Sequence, residues 1–406
     1  MRRGSDLRAR PVITGVGLIT PLGLTRDASW AGVREGRSAI GPIERFDAAT
    51  FPWPAAAEIR DFVPRKVLPD RKAIKLMSPP ARLAVAAALE ARRDAGHERS
   101  PDPSDGGLFI GAGYETVDLR SVLRMMGSCR PPDAAVGDAD YDTIDVVRLW
   151  TEARHRMNPL DALKILPNMA LAHVSIALGL QGPNSALGPH GASGLQALAD
   201  AALSVATGEA PYAVAGGTDS PINLFMVAYF GVEGLLSPTG RCAPFTADAD
   251  GTVPGEAAAM FWVEDAAGAD ARGATVYAEI LGTGQAHADG PYGPPREPGV
   301  FERAARQALD DAGVAPGDVA RLVADGWGVP AVDRAERTAA AALFGGADPP
   351  RRSSKHLLGH GFAAAGAVEL GLALGEPAGG PELCWAAGVD GTVAALVLGR
   401  GGEGAP

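Results

Sequence analysis

"GPNSALGPHGASGLQALADA", residues 182–201, is the stretch from which the fold follows. A short apolar run gives way to a turn of small residues and then to the start of an alanine-rich helix. A tight elbow from a strand into a helix lifts the apex side chain out of the turn. Helix N–H groups stand beside it, ready to stabilise negative charge. Gly188, Gly191 and Gly194 let the backbone turn sharply and pack against a close neighbour. The apex is Gly191, flanked by His190 and Ala192, so the elbow carries no reactive atom. Ser193 is the nearest hydroxyl, but it falls in the first helical turn, where serine more often caps.

Outward from the elbow, short apolar runs ending in glycine recur: "VITGVGLITP" (12–21), "GLFIGAGYE" (107–115), "YAVAGGTD" (212–219), "RLVADGWG" (321–328) and "ELCWAAGVDGTVAALVL" (382–398). Helix-like stretches lie between them, at 78–96, 191–208, 301–313 and 333–345. Buried strands alternating with amphipathic helices predict an α/β fold. The halves echo each other. "VITGVGL" and "AEILGTGQ" (278–285) occupy similar places, as do 107–113 and 321–328. The expected division is 1–265 and 266–406. Residues 141–174 sit outside this rhythm and read as an insertion of two helices broken at Asn158-Pro159.

Hydrophobic residues make up 46% of 406, enough for a substantial core. The net charge of −11, with no long run of one sign, argues against nucleic acid or an anionic membrane as partner. Cys129, Cys242 and Cys384 lie far apart, which predicts neither disulfides nor a zinc site and fits a reducing cytoplasm. No window approaches the roughly 18 apolar residues of a membrane span, and the N-terminus lacks the apolar core of a signal peptide. The expectation is a soluble cytoplasmic protein.

Two further segments hold candidate chemistry. "SSKHLLGHGFAAAGAVEL" (353–370) sets Lys355 and His360 ahead of a helix of small residues. A neutral imidazole there can donate to a developing carbonyl anion, and a nearby ammonium can tune its charge. The bland reading is a loop histidine and a solvated lysine; His356 is the weaker candidate. In "ADGWGVPAVDRAE" (324–336), Asp325 could be a general base, although an acid at a strand end is more often a turn former. Asp248, Asp250 and Glu256 faintly echo a calcium loop without meeting the EF-hand pattern, and read as structural. No metal is expected.

Taken in order, these segments resemble the β-ketoacyl synthases of the thiolase superfamily, over nearly the whole chain. "GPNSALGPHGASG" looks like the nucleophile elbow of that family, in which a T-A-C presents the acylated cysteine. "AGGTDSPINLFMVAYFGVEGLLSP" and "PFTADADGTVPGEAAA" look like its following strand, helix and acidic loop. "KHLLGHGFAAAGAVE" resembles its K-x-x-x-G-H-x-x-x-A-A-G motif, and "DGWGVPAVDRAE" its H-G-T-x-T-x-x-x-D-x-x-E motif. The resemblance implies duplicated α/β/α/β/α layers with two related halves.

The departures bear on function. Gly191 stands where the family has its cysteine, and Asp325 where it has its first histidine. Lys355, His360 and Glu369 match. The family's glycine-rich gate is replaced by "AAGVDGTV" (386–393). Condensation needs a thiolate to hold the acyl chain and two imidazoles to assist malonyl decarboxylation. Glycine cannot be acylated, and an aspartate repels a malonyl carboxylate. The resemblance therefore implies a chain-length factor, as in type II polyketide systems. Such a subunit pairs with an active ketosynthase, meets an acyl carrier protein whose phosphopantetheine presents the chain, and needs no cofactor of its own. Leu123, Met125 and Met126, on the expected interface helix, are candidates for setting tunnel depth. The rival reading is a stand-alone thioester-processing enzyme using His360, Lys355 and Asp325. Restoring Gly191→Cys with Asp325→His should recover acylation if the pocket is otherwise intact.

Overall fold

A computed structural model describes residues 9–113, 119–129, 145–156, 160–188, 191–290 and 292–400. The first half supplies β1 (Pro11–Ile19), the small paired strands β2 (Ile40–Pro42) and β3 (Ala55–Ala57), then β4 (Gly107–Ala112), β5 (Asn184–Leu187), β6 (Tyr212–Asp219) and β7 (Ala257–Asp265). The second supplies β8 (Ala278–His287), β9 (Arg321–Val323), β10 (Arg351–Arg352), β11 (Glu382–Ala387) and β12 (Thr392–Gly399). β1, β4, β6, β7, β11 and β12 are buried almost end to end, as strands covered on both faces must be.

The strand order across the large sheet is β10-β9-β11-β12-β8-β1-β7-β6-β4-β5. Numbered within its own half, each set of five runs third, second, fourth, fifth, first. The directions repeat too. The second strand is parallel to the third and fourth, and the fifth is antiparallel to its two neighbours. The segments expected to correspond do so: β1 and β8 are the first strands, β4 and β9 the second. The two sets meet at a short seam, Val12 opposite Glu279 and Ile13 opposite Ala278.

The duplication reaches the packing. A Cβ at Gly15 or Gly17 would overlap the carbonyls of Ala91 and Ala87 on the helix Pro79–Asp94. A Cβ at Gly282 or Gly284 would overlap those of Ala308 and Ala304 on the helix Pro298–Ala312. In both halves a Gly-x-Gly on the first strand lets an alanine-faced helix lie backbone against backbone.

Three apolar cores separate the layers. The middle one joins both sets of strands through the helices Ser193–Ala206 and Ala365–Ala373, with Leu195, Leu198, Leu370 and Leu372 against Phe261 and Leu396. The helices Pro79–Asp94 and Met169–Leu178 cover the outer face of the first set. Pro298–Ala312 and Pro330–Phe344 cover that of the second. The result is α/β/α/β/α.

The expected two-helix insertion is more broken than the sequence implies. It contains helices Val146–Thr151, Asp161–Lys164 and Met169–Leu178, with a 3-10 turn at Ala153–Arg156. Pro167 disfavours helix at the residue before it, and the chain restarts only at Met169. The anticipated break at Asn158-Pro159 lies outside the described residues.

Candidate functional site

β9 ends at Val323, and the chain turns through Gly326 and Gly328, which have φ of +65° and +75°. Acids on the following helix organise this turn. Glu336 accepts the Asp325 and Gly326 N–H groups at 2.8 and 2.9 Å, and Asp333 accepts those of Gly328 and Phe245 at 3.0 and 2.8 Å. The turn aims the Asp325 carboxylate into the protein, where the residue is 1% exposed.

Asp325 is not the lone turn-forming acid that its place at a strand end implied. Its Oδ1 is ion-paired with Lys355 Nζ, and its Oδ2 accepts from Trp327 Nε1 at 2.8 Å and from Ala387 N at 2.7 Å. Lys355 also donates to the Asp325 carbonyl. Lys355 is not solvated; it is 1% exposed. Burial opposes its charge, but Asp325 and Glu369 overcome this and raise its pKa, so the ammonium persists. Glu369, buried on the helix Ala365–Ala373, accepts the Ser354 N–H at 2.9 Å and lies 3.4 Å from an Arg352 nitrogen. Burial raises its carboxyl pKa.

His360 is fully buried. Its Nδ1 accepts the Phe362 N–H at 3.0 Å, which assigns the proton to Nε2. Among the described residues Nε2 has no hydrogen-bond partner, and it stands 3.9 Å from Asp325 Oδ1. Burial first, and Lys355 second, hold the imidazole well below its usual pKa, so it is neutral. Trp327 lies over it with ring centroids 4.0 Å apart, and Phe362 packs against it at 4.8 Å. His356 is exposed and takes no part.

Gly191 completes the cluster. A Cβ there would overlap the Ala387 carbonyl oxygen, with its carbon 3.3 Å and Gly388 Cα 3.5 Å away. The elbow thus holds no void; the backbone between β11 and β12 fills it. The cavity touching Lys355 and Glu369 is about 10 Å³, room for about one water. His190 lies outside the described residues. Ser193 opens its helix fully buried beneath Gly111, with no exposed hydroxyl to attack from.

No thiol substitutes. All three cysteines are buried. Burial pushes the Cys242 thiol up to about 11 and Cys384 well above its usual value, so neither is a ready thiolate. Among the described residues no group of His, Cys, Asp and Glu could hold a metal. Glu256 accepts from Arg45 at 2.7 Å and from Ile59 N at 2.8 Å, and Asp250 from Ser237 and Thr239 at 2.6 and 2.7 Å. Both tie loops together.

The structure brings Gly191, Asp325, Lys355, His360 and Glu369 around one point. Sequence reasoning missed Trp327, Glu336 and Ala387, which bind or cover that cluster. The signal was present for Trp327, a bulky ring between two glycines where the motif has a threonine. Leu123 and Met126 are exposed at 59% and 37% on the helix Leu119–Ser128. They face outward, not into a core of this chain.

The β-ketoacyl synthase N-terminal domain model matches residues 9–269, and the C-terminal domain model residues 277–374. The actinorhodin polyketide β-ketoacyl synthase 2 of Streptomyces coelicolor is 32% identical, over 89% of this chain and 84% of its own. A 3-oxoacyl-[acyl-carrier-protein] synthase 2 of Staphylococcus aureus is also 32% identical, over 89% and 83%. Among solved structures, the ishigamide ketosynthase/chain length factor superposes with a TM-score of 0.84 at 26% identity, covering 97% of this chain and all of that one. A β-ketoacyl synthase from Burkholderia phymatum gives 0.83 at 25%, with the same coverage. The duplicated topology and these matches agree: the chain belongs to the β-ketoacyl synthase family.

Proposed function

We propose that this chain is a chain-length factor, a ketosynthase-like subunit without a working site of its own that pairs with an active β-ketoacyl-acyl-carrier-protein synthase and helps bound the tunnel in which the acyl chain grows. One observation carries the reading: at position 191 a neighbouring carbonyl occupies the space where a nucleophilic side chain would begin. The charge pattern supports it. Asp325 is neutralised by Lys355 and its Oδ2 already accepts two N–H groups, so the carboxylate is tied to its own chain. That weighs against independent thioester chemistry through His360, Lys355 and Asp325, all of which are buried.

The surface supplies a place for a partner. Leu123, Val147, Trp150 and Ile176 are 59%, 70%, 67% and 72% exposed. Among the described residues, β5 ends the sheet with no strand on its outer edge. Exposed apolar side chains and an open strand edge are each features that association would cover. The occupant we assign is the active ketosynthase subunit, because the chain's own elbow cannot be acylated. A second surface is basic. Residues 60–75 carry exposed Arg60, Arg65, Lys66, Arg71, Lys72 and Lys75 against Asp61 and Asp70, in a chain of net charge −11. It suits an anionic carrier protein bearing a phosphopantetheine arm. Among the described residues, no helix is long and apolar enough to cross a membrane.

The test is co-expression with a candidate ketosynthase. The expected result is a stable pair that makes product, a lone chain that makes none, and unchanged turnover by the pair carrying His360→Ala. Acyl-thioester turnover by the lone chain, abolished by His360→Ala, would overturn the proposal in favour of the stand-alone enzyme. Product lengths that shift with the size of residues 123, 125 and 126 would support the tunnel role.

A further inference from the structure

β9 and β11 run side by side only as far as Val323 and Cys384. Beyond that point a side chain replaces the missing strand neighbour: Asp325 Oδ2 accepts the Ala387 N–H at 2.7 Å. The carbonyl of the same residue fills the space where a side chain at 191 would begin. Ala387 is thus gripped through its N–H and seated through its oxygen, by the two positions at which this chain departs from the family's reactive residues. We infer that Asp325 and Gly191 form a latch that clamps the turn between β11 and β12 into the elbow and seals it.

The parts of the latch are stiff. Asp325 is anchored by Lys355 and by the Trp327 N–H. The clamped turn is braced by Gly388 N to Thr392 O at 2.7 Å and Gly391 N to Gly388 O at 3.1 Å. Asp390 accepts the Thr392 N–H at 3.1 Å and its hydroxyl at 2.6 Å. Two consequences follow. Positions 191 and 325 are coupled, because a side chain at 191 needs the turn to move and Asp325 prevents it. The sealed elbow also presents solid wall where the family presents a pocket. Neither consequence depends on which partner the chain takes.

The experiment compares two charge-free variants of the intact chain, Asp325→Ala with Lys355→Met and Asp325→Asn with Lys355→Met. Both lack the ion pair, and only the second keeps an acceptor for Ala387. Amide hydrogen exchange at Ala387 should be at least tenfold faster in the first than in the second. In parallel, Gly191→Cys should resist iodoacetamide when Asp325 is present and become alkylated, by peptide mapping, when combined with the first variant. Equal Ala387 exchange in the two variants would overturn the latch, as would equal alkylation with and without Asp325. The exchange comparison leaves position 191 untouched, so it decides the matter even if Gly191→Cys does not fold.

Discussion

Lys355 and Asp325 meet where neither reaches water, and each offsets the charge of the other. Removing one partner of such a buried pair costs about 3–5 kcal/mol, because the survivor keeps an uncompensated charge. Lys355→Met should therefore destabilise strongly in chemical denaturation, and adding Asp325→Asn should return much of the loss. Additive losses would contradict the pairing. His360 gives a second prediction with a definite sign. Its folded pKa is depressed by burial and by Lys355, so the unfolded chain takes up its proton more readily. The stability it contributes is complete above its ordinary pKa of about 6.5 and is lost as pH falls below it. Stability of the native chain relative to His360→Gln should drop between about pH 6.5 and 5; a difference flat with pH would refute a neutral buried imidazole. Lys355, His360 and Glu369 were legible together in one motif. It could not show that Asp325, thirty residues upstream of Lys355, would neutralise it, because that contact exists only once β9 and the Lys355 segment lie side by side.

Among the elements, short apolar runs ending in glycine announced the strands, and the echo between 12–18 and 278–285 announced the repeat. The physical basis of that echo is the backbone-to-backbone packing of Gly15 and Gly17, and of Gly282 and Gly284, on their helices. Gly17→Ala and Gly284→Ala should each destabilise by about 1–3 kcal/mol or more, since a rigid helix carbonyl must move aside. Gly268, inside the helix Ala266–Ala271 with nothing near its Cβ position, is the control. Gly268→Ala should stabilise by up to about 1 kcal/mol. Thermal unfolding of the three variants checks both signs. The insertion was harder to read. Val146, Val147, Trp150, Leu160 and Leu163 are exposed, so this part follows no core-facing period, and the stop before Pro167 divides what the sequence presents as one helix. The turn between β11 and β12 was hidden for a related reason: nothing local in "AAGVDGTV" says that it folds onto an elbow almost two hundred residues earlier.

For the molecule as a whole, a closed site and an uncovered apolar face point in one direction. Trp150 packs on little of its own chain, so Trp150→Asp should leave the isolated fold intact by circular dichroism. In the pair it would place a carboxylate in a desolvated contact, and size-exclusion chromatography should show association weakened at least tenfold. Loss of folding with no effect on association would place Trp150 in the core of this chain instead. With its elbow sealed, this polypeptide should never hold an acyl group. Intact-mass spectrometry after exposure to an acyl thioester, on the chain alone and on the co-purified pair, tests it most directly. An unchanged mass for this chain in both samples and an acyl adduct on its partner are expected; an acyl adduct on this chain would refute a sealed elbow.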